Sequence, residues 1–454
     1  MPDTGDTAWM LISAALVLLM TPGLAFFYGG MVRSKSVLNM MMMSLSAMGI
    51  VGVLWVLYGY SIAFGNDVGY GLLGNPGEFA GLDGLMGTFE DGTPVSVPLV
   101  GTIPALVFVA FQAMFAIITV ALVSGAVADR MRFVPWLLFA GLWATLVYFP
   151  VAHWVFAFDE PLGPSAAGGW IANNLGAVDF AGGTAVHINA GAAGLALALV
   201  LGKRRGWPRE IMRPHNLPFV MLGAGLLWFG WFGFNAGSAL GAHGVAAVAF
   251  VNTMVATAAA MLAWLLVERI RDGRPTSLGG ASGVVAGLVA ITPACSSVSP
   301  LGAIAVGGIA GAVCALAVSI KFRYLYDDSL DVVAVHLVGG LLGTLLIGFL
   351  ADPAAPAGKE GLFYTGSVDQ LWRQAVAAGA VLAYSLAVTA IIALLLKHTL
   401  GLRLGRDAEM TGIDETEHAE AGYEFSAIFT GSGNSRATQA AGSSKLPASA
   451  GHEG

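Results

Sequence analysis

Apolar and polar positions in this chain alternate on the scale of whole helices. Uncharged runs of roughly 20 residues, the length a helix needs to span a bilayer, recur between short polar breaks. In the first half they lie near Trp9 to Val32, Ser36 to Gly65, Pro98 to Ala128, Phe133 to Phe156 and Phe180 to Gly202. In the second they lie near Leu217 to Ser238, Ala246 to Val267, Leu278 to Cys295, Leu301 to Ile320, Val332 to Leu350 and Ala375 to Leu396. The pattern predicts an all-α polytopic membrane protein with eleven transmembrane helices.

Composition agrees. With 454 residues, 56% hydrophobic and 11% charged, and a mean hydropathy of +0.75, the chain is too apolar for an ordinary soluble enzyme. The net charge of −7 says less than where the signs fall. Eleven spans place all 21 Lys and Arg on one side except Lys359 and Arg373. The positive-inside rule makes that side cytoplasmic, with the amino terminus outside and the carboxyl terminus inside. The opening Met-Pro-Asp-Thr-Gly-Asp lacks a basic n-region, so the first helix reads as retained. Cys295 and Cys314 sit in apolar segments without metal or redox spacing and read as buried, inert thiols. The transmembrane domain occupies residues 1–396. Residues 397–425 read as a charged cytoplasmic tail, and 426–454 as a disordered extension.

Candidate chemistry centres on two histidines. Asp179, followed by Phe-Ala-Gly-Gly-Thr, reads as a helix cap. Eight residues on, roughly 12 Å along the helix, His187 falls near the middle of a hydrocarbon core about 30 Å thick. The pattern Ala-Val-His-x-x-x-Gly of Ala185 to Gly191 recurs at Ala334 to Gly340, and Asp328 precedes His336 by the same eight residues. The motifs fall in the fifth and tenth spans, so residues 9–202 and 217–350 read as two five-helix repeats, with one extra helix at 375–396. Five is odd, so the second copy is inverted, an arrangement that places a site near the midplane. A lone histidine here would be a structural interhelical bond as readily as a functional group; a matched pair favours function. Desolvation favours neutral rings, one donating to the other. No span carries an acid in its middle, so a bare cation would face a dehydration cost on the order of 20 kcal/mol. A weak base, moving as neutral molecule plus proton, avoids most of it.

Other positions have plainer readings. Phe111 and Phe115 share one helix face, as do Phe234 and Ser238. Asn235 needs an interhelical partner. Pro22 and the neighbouring glycines suit kinks and close packing, and Met40 to Met43 read as flexible filler. His153 and the acids between Gly65 and Pro98 read as solvated groups at the outer surface.

Several stretches together resemble a known family. They are Pro22 to Gly30, Asp179 to Thr184 with His187 to Ala190, Pro214 to Pro218, Gly230 to Ser238, and Thr292 to Cys295. The chain is similar to the Amt/Mep/Rh ammonium transporters, Amt branch, over nearly all of residues 9–425. The resemblance implies an eleven-helix protomer in a homotrimer of the cell membrane, with one conduction path per protomer for ammonium, ammonia or methylammonium in nitrogen uptake. It implies that His187 and His336 are the pore pair and that Phe115 and Phe234 form a two-ring gate. It also implies an outer recruitment site of Phe111, Phe115, Phe156 and Ser238, supported by Asp179. Family members commonly carry Trp where Phe156 stands; Phe keeps a π-face for ammonium but loses the indole donor. A PII-type signal protein is the implied cytoplasmic partner, read through the tail. No enzyme activity, cofactor, metal or nucleic acid is expected, since no nucleophile, metal cluster or phosphate loop accompanies the histidines. The alternatives are a passive ammonia channel of Rh type and an ammonium sensor.

Overall fold

The apolar runs fold into helices at the predicted places. The computed structural model describes residues 1–159, 167–210 and 212–423; the 426–454 extension and the end of the tail lie outside them. Among the described residues, ten helices are long and apolar enough to cross a membrane. They are α1 (Thr4–Met31), α2 (Ser34–Phe64), α3 (Ala105–Val127), α4 (Phe133–Phe156), α5 (Gly183–Leu201), α6 (Leu217–Gly237), α7 (Gly244–Asp272), α9 (Pro300–Tyr324), α10 (Val333–Leu350) and α11 (Asp369–Thr399). Between α7 and α9 lies the shorter apolar α8 (Ser277–Ile291). Its 15 residues reach about 22 Å at 1.5 Å each, because the predicted run to Cys295 breaks into turns at Thr292-Pro293. The structure thus gives ten full-length spans and one short helix where eleven spans are predicted.

Small residues set how closely these helices pack, as lipid supplies no hydrophobic drive between them. On α6, a Cβ at Gly223 would lie 2.3 Å from the Phe27 backbone nitrogen of α1. One at Gly233 would lie 2.7 Å from Leu16 Cβ. Asn235 finds its interhelical partner: its Nδ2 donates to Thr253 Oγ1 of α7 at 2.9 Å. Cys295 and Cys314 are buried and unpaired. Of the methionine run, Met40 and Met43 are buried while Met42 is exposed.

The end of the bundle that carries Asp179 differs from the sequence reading. His153 is fully buried, not solvated. Its Nδ1 lies 3.0 Å from Ala63 O and its Nε2 3.4 Å from Asp67 Oδ1. Asp67 is therefore a working loop residue; burial raises its carboxyl, but bonds from the Gly71, Gly69 and Leu73 amides and the charge of His153 outweigh that and hold it below the usual range. Glu78 likewise accepts from Asn66 N at 2.6 Å. The segment folds back on itself, so Asp67 and Glu78 meet partners, while Glu78, Asp83, Glu90 and Asp91 stay exposed as the sequence suggests.

At the opposite end the tail is docked. It forms two short helices, α12 (Arg406–Thr411) and α13 (Ile413–His418), whose carboxylates reach amides that helix starts leave without partners. Asp414 accepts from Leu38 N at 3.0 Å and Asn39 N at 2.8 Å in the first turns of α2. Glu417 accepts from Phe133 N, the first residue of α4, at 3.1 Å. Glu409 accepts from Arg205 N at 2.7 Å and pairs with Arg403 at 2.8 Å. Asp414→Ala should therefore cost about 1–2 kcal/mol, the usual worth of a lost cap. The expected readout is faster trypsin cleavage at Arg403 and Arg406 with a lower unfolding temperature in detergent, whereas Asp414→Asn keeps an acceptor and stays near wild type.

Candidate functional site

The site is built on the starts of α5 and α10. Asp179 is not in the helix; α5 begins at Gly183, so His187 sits about one turn in, four residues from the helix start rather than eight. The Asp179 carboxylate gathers the free amides of that start. Oδ1 accepts from Gly182 N at 2.7 Å and Gly183 N at 2.6 Å. Oδ2 accepts from Thr184 N at 2.7 Å and Ala185 N at 3.3 Å, and from the Thr184 hydroxyl. Gly182 adopts φ +119, which a side chain would strain, and a Cβ at Gly183 would run into the Pro293 ring at 2.5 Å. The turn carrying His187, Gly183–Ile188, is π-helical, with His187 N donating to Gly182 O at 3.1 Å.

The second histidine repeats this construction. His336 lies in a π-turn, Val333–Leu337, that opens α10. Asp328 Oδ2 accepts from Val333 N at 2.7 Å, and Lys321 Nζ donates to the Asp328 carbonyl at 3.0 Å. The glycines that end the two motifs interlock. A Cβ at Gly191 would stand 2.4 Å from Leu337 N, and one at Gly340 would stand 3.0 Å from His187 Cβ. Each helix presses its bare backbone against the histidine turn of the other, and the rings are brought together. Nδ1 of His187 and Nδ1 of His336 are 3.3 Å apart, with both side chains buried. At that distance one nitrogen must carry the proton and the other accept it. Nε2 of His187 is buried without a hydrogen-bond partner.

Both rings face a narrow, nearly closed apolar lumen walled by Leu24, Phe27, Leu227 and Trp231 among others. Trp231 was not singled out by the sequence. It stacks on His187, centroids 5.5 Å apart and planes at 20°, and its Nε1 donates to Thr292 Oγ1 at 2.8 Å. The signal available was its place three residues before Phe234, on the same face of α6.

Next to His187, Phe115 of α3 and Phe234 of α6 stack at 4.1 Å and 22°, bridging the two helices. Phe111 touches Phe115 at 4.9 Å and is fully buried, with Gly237 letting α6 approach its ring. Phe156 stands edge-on to Phe115 at 6.3 Å. Beside this cluster opens a pocket with about 900 Å³ of empty space. Asp179 and Ser238 line it, but Phe111, Phe115 and Phe156 do not; the three rings pack on one another alongside it. The Ser238 hydroxyl donates to Phe234 O at 2.8 Å, which leaves its oxygen lone pairs for an incoming N–H donor.

Residues 8–423 match the family model for the Ammonium Transporter Family. The chain belongs to that family. An ammonium transporter of Mycobacterium tuberculosis is 68% identical over 445 residues, spanning 95% of this chain and 92% of that protein. One of Corynebacterium glutamicum is 47% identical, spanning 93% and 90%. Among solved structures, Saccharomyces cerevisiae Mep2 aligns with a TM-score of 0.79 at 34% identity, covering 89% of this chain and 88% of that one. A protein described as a sensor Amt protein aligns at 0.81 and 28%, covering 91% and 98%.

Two outcomes follow from the crossing. Gly191→Ala places a methyl against backbone that has nowhere to go and should lower stability by about 1–3 kcal/mol. Gly49→Ala in α2, where a Cβ meets nothing within 4 Å, should be neutral or stabilising; thermal unfolding in detergent separates them. Asp328 supplies a pH signature. Burial pushes its carboxyl up to about 6, Lys321 opposing and Asp331 reinforcing. A carboxyl raised in the fold binds protons more readily there than in the unfolded chain, so folding gains as pH falls from above 6 towards 4. Asp328→Asn keeps an acceptor for Val333 N without the charge. It should unfold at a higher temperature than wild type at pH 7.5, and the gap should shrink at pH 5.

Proposed function

We infer that this family member takes up ammonium across the cell membrane by capturing the cation at the Ser238 end, deprotonating it near the Phe115–Phe234 stack, and passing ammonia and a proton along His187 and His336. The observation that carries the reading is the 3.3 Å Nδ1–Nδ1 pair facing an apolar lumen. A buried orphan nitrogen such as His187 Nε2 carries a desolvation penalty of about 1–3 kcal/mol, which a hydrogen-bonding solute relieves. The lumen offers no carboxylate to offset a dehydrated cation, so ammonia is the species that fits it. At the mouth, the acceptor face of Ser238 and the aromatic cluster beside it suit an N–H donor with positive charge. For passage the two stacked rings must part.

The same reading orients the chain with its amino terminus outside and its basic loops and tail cytoplasmic, in keeping with the positive-inside rule. The two histidine turns, built alike on opposite-running helices, support an inverted repeat of five spans with one helix added. A homotrimer with one route per protomer, and a PII-type protein meeting the docked tail, extend the reading by resemblance.

A sensor function is the second reading, favoured by the tail's grip on α2 and α4 and by the likeness to a sensor Amt protein. Deleting residues 397–454 separates the two, since full uptake with an unaltered downstream response counts against a sensor. For transport, His187→Ala and His336→Ala should each lower methylammonium uptake and ammonium-driven current in liposomes ~10-fold or more, the order of a lost buried hydrogen-bond partner. Intact uptake and current in both variants would sink the paired-histidine route. Zero current in wild type at saturating ammonium, with ammonia still permeating, would instead establish passive gas conduction.

A further inference from the structure

The pocket lined by Asp179 and Ser238 is also lined by Lys359. Among the described residues at this end of the bundle, Lys359 and Arg373 are the only Lys or Arg, and the two are held differently. Arg373 is fastened: Nε pairs with Asp369 Oδ2 at 2.9 Å and Nη1 donates to Leu175 O at 2.7 Å. Lys359 is exposed and makes no hydrogen bond or ion pair with the described residues. Asp369, an acid on this rim, is already engaged by Trp372 Nε1 at 2.9 Å and Arg373 Nε at 2.9 Å. Lys359 also lines the adjoining polar pocket with Glu360 and Asp369, so its long stem spans the rim between the two.

A lysine head is an alkylammonium with three N–H donors, chemically the same group as the cation the pocket is proposed to collect. The acceptors on the wall it shares are those the substrate would use. Asp179 already accepts five bonds and has little left to give, which leaves the lone pairs of Ser238 and of Ser296, whose buried hydroxyl has no partner. A positive charge on the rim opposes a second one through space and competes for those acceptors.

We propose that Lys359 is a built-in brake on cation capture, a tethered ammonium at the mouth that sets the affinity for substrate without touching the conducting path. The inference rests on the transport reading and deepens it. It makes Lys359 a specificity-determining residue: it disfavours cations and leaves neutral ammonia unaffected. The chemistry also orders its variants, since removing one charge and then reversing it are equal steps in potential.

The test is methylammonium uptake by the full-length protein in liposomes, comparing wild type with Lys359→Arg, Lys359→Gln and Lys359→Glu. Arg274→Gln, at the opposite end, serves as a charge control. Expected at low salt is an unchanged KM for Lys359→Arg, a KM ~2- to 4-fold lower for Lys359→Gln and a similar further drop for Lys359→Glu, as a unit charge across a solvated pocket produces. Maximal rates should stay the same, and the KM differences should collapse in 1 M sodium chloride, where the Debye length is about 3 Å. A single KM for all variants, or a change that persists in high salt or falls on the maximal rate, overturns the brake while leaving transport standing. Absence of uptake by wild type removes the transport reading and the brake with it.

Discussion

The two imidazoles meet at 3.3 Å where the helices that carry them cross with almost nothing between their backbones. Ordinary helix pairs stand 8–10 Å apart because side chains fill the gap. Here Gly191 and Gly340 remove that filler at the two points where each helix meets the other's histidine turn. The rest of the centre depends on this contact. The helices must start late enough to bring each histidine into its first turns, so Asp179 and Asp328, which lie outside the helices, take over the amides those starts expose. The π-turns widen the backbone where the histidines project. Pro293, pressed under Gly183, fixes the level at which α5 begins, and the Ser385 hydroxyl of α11 braces the same helix by donating to Asn189 O at 2.8 Å.

Charge is distributed in keeping with that geometry. The carboxylates of Asp179, Asp328 and Asp414 lie in loops or the tail, where helix-start amides meet them. The lumen holds only neutral, polarisable walls and two rings. A cation is therefore tolerable at the mouth and intolerable between the stacked phenylalanines and the histidines. Under the proposed route, the place where the proton leaves is set by this contrast and not by a dedicated base, because no carboxylate points into the path.

The spans were legible because hydropathy over 20 residues averages out local irregularity, and in lipid the backbone has little choice but to be helical. The histidine pair was legible because two-fold packing imposes one motif twice; Ala-Val-His-x-x-x-Gly is the imprint of a reciprocal crossing, glycine included. What the sequence hid were contacts between distant residues whose types say nothing of their partners. Asp414 and Asn39 lie far apart in the chain, and nothing in Ile413–His418 announces that its acids cap two membrane helices. His153 read as solvated because a histidine near a helix end usually is, and only the return of the Asp67 loop buries it. The start of α5 was misjudged because a capping aspartate normally stands next to its helix, whereas Asp179 reaches over two glycines to do so. The recruitment residues, read as one set, divide into a closed ring cluster and an open pocket, a distinction that depends on side-chain packing rather than on helical spacing.

The frame around the histidines is two-fold, yet their surroundings are not. His187 stacks on Trp231, lies parallel to Phe234 at 6.3 Å, and has a buried, unpartnered Nε2; His336 has neither aromatic contact. A neutral pair sharing one Nδ1–Nδ1 hydrogen bond has two arrangements, differing in which ring is the donor. In a symmetric setting these would be degenerate. The one-sided aromatic wall makes them unequal, since in one arrangement the exposed acceptor at Nε2 belongs to the ring under Phe234 and in the other it belongs to the ring beyond it. Under the proposed route, a proton entering from the phenylalanine side would be accepted only by a ring whose Nε2 is bare, and its transfer across the pair would interchange the two arrangements. The pair would then have to return before accepting again. On that route the two histidines form a unit that must be reset, since neither ring alone would offer both the acceptor and the path onward.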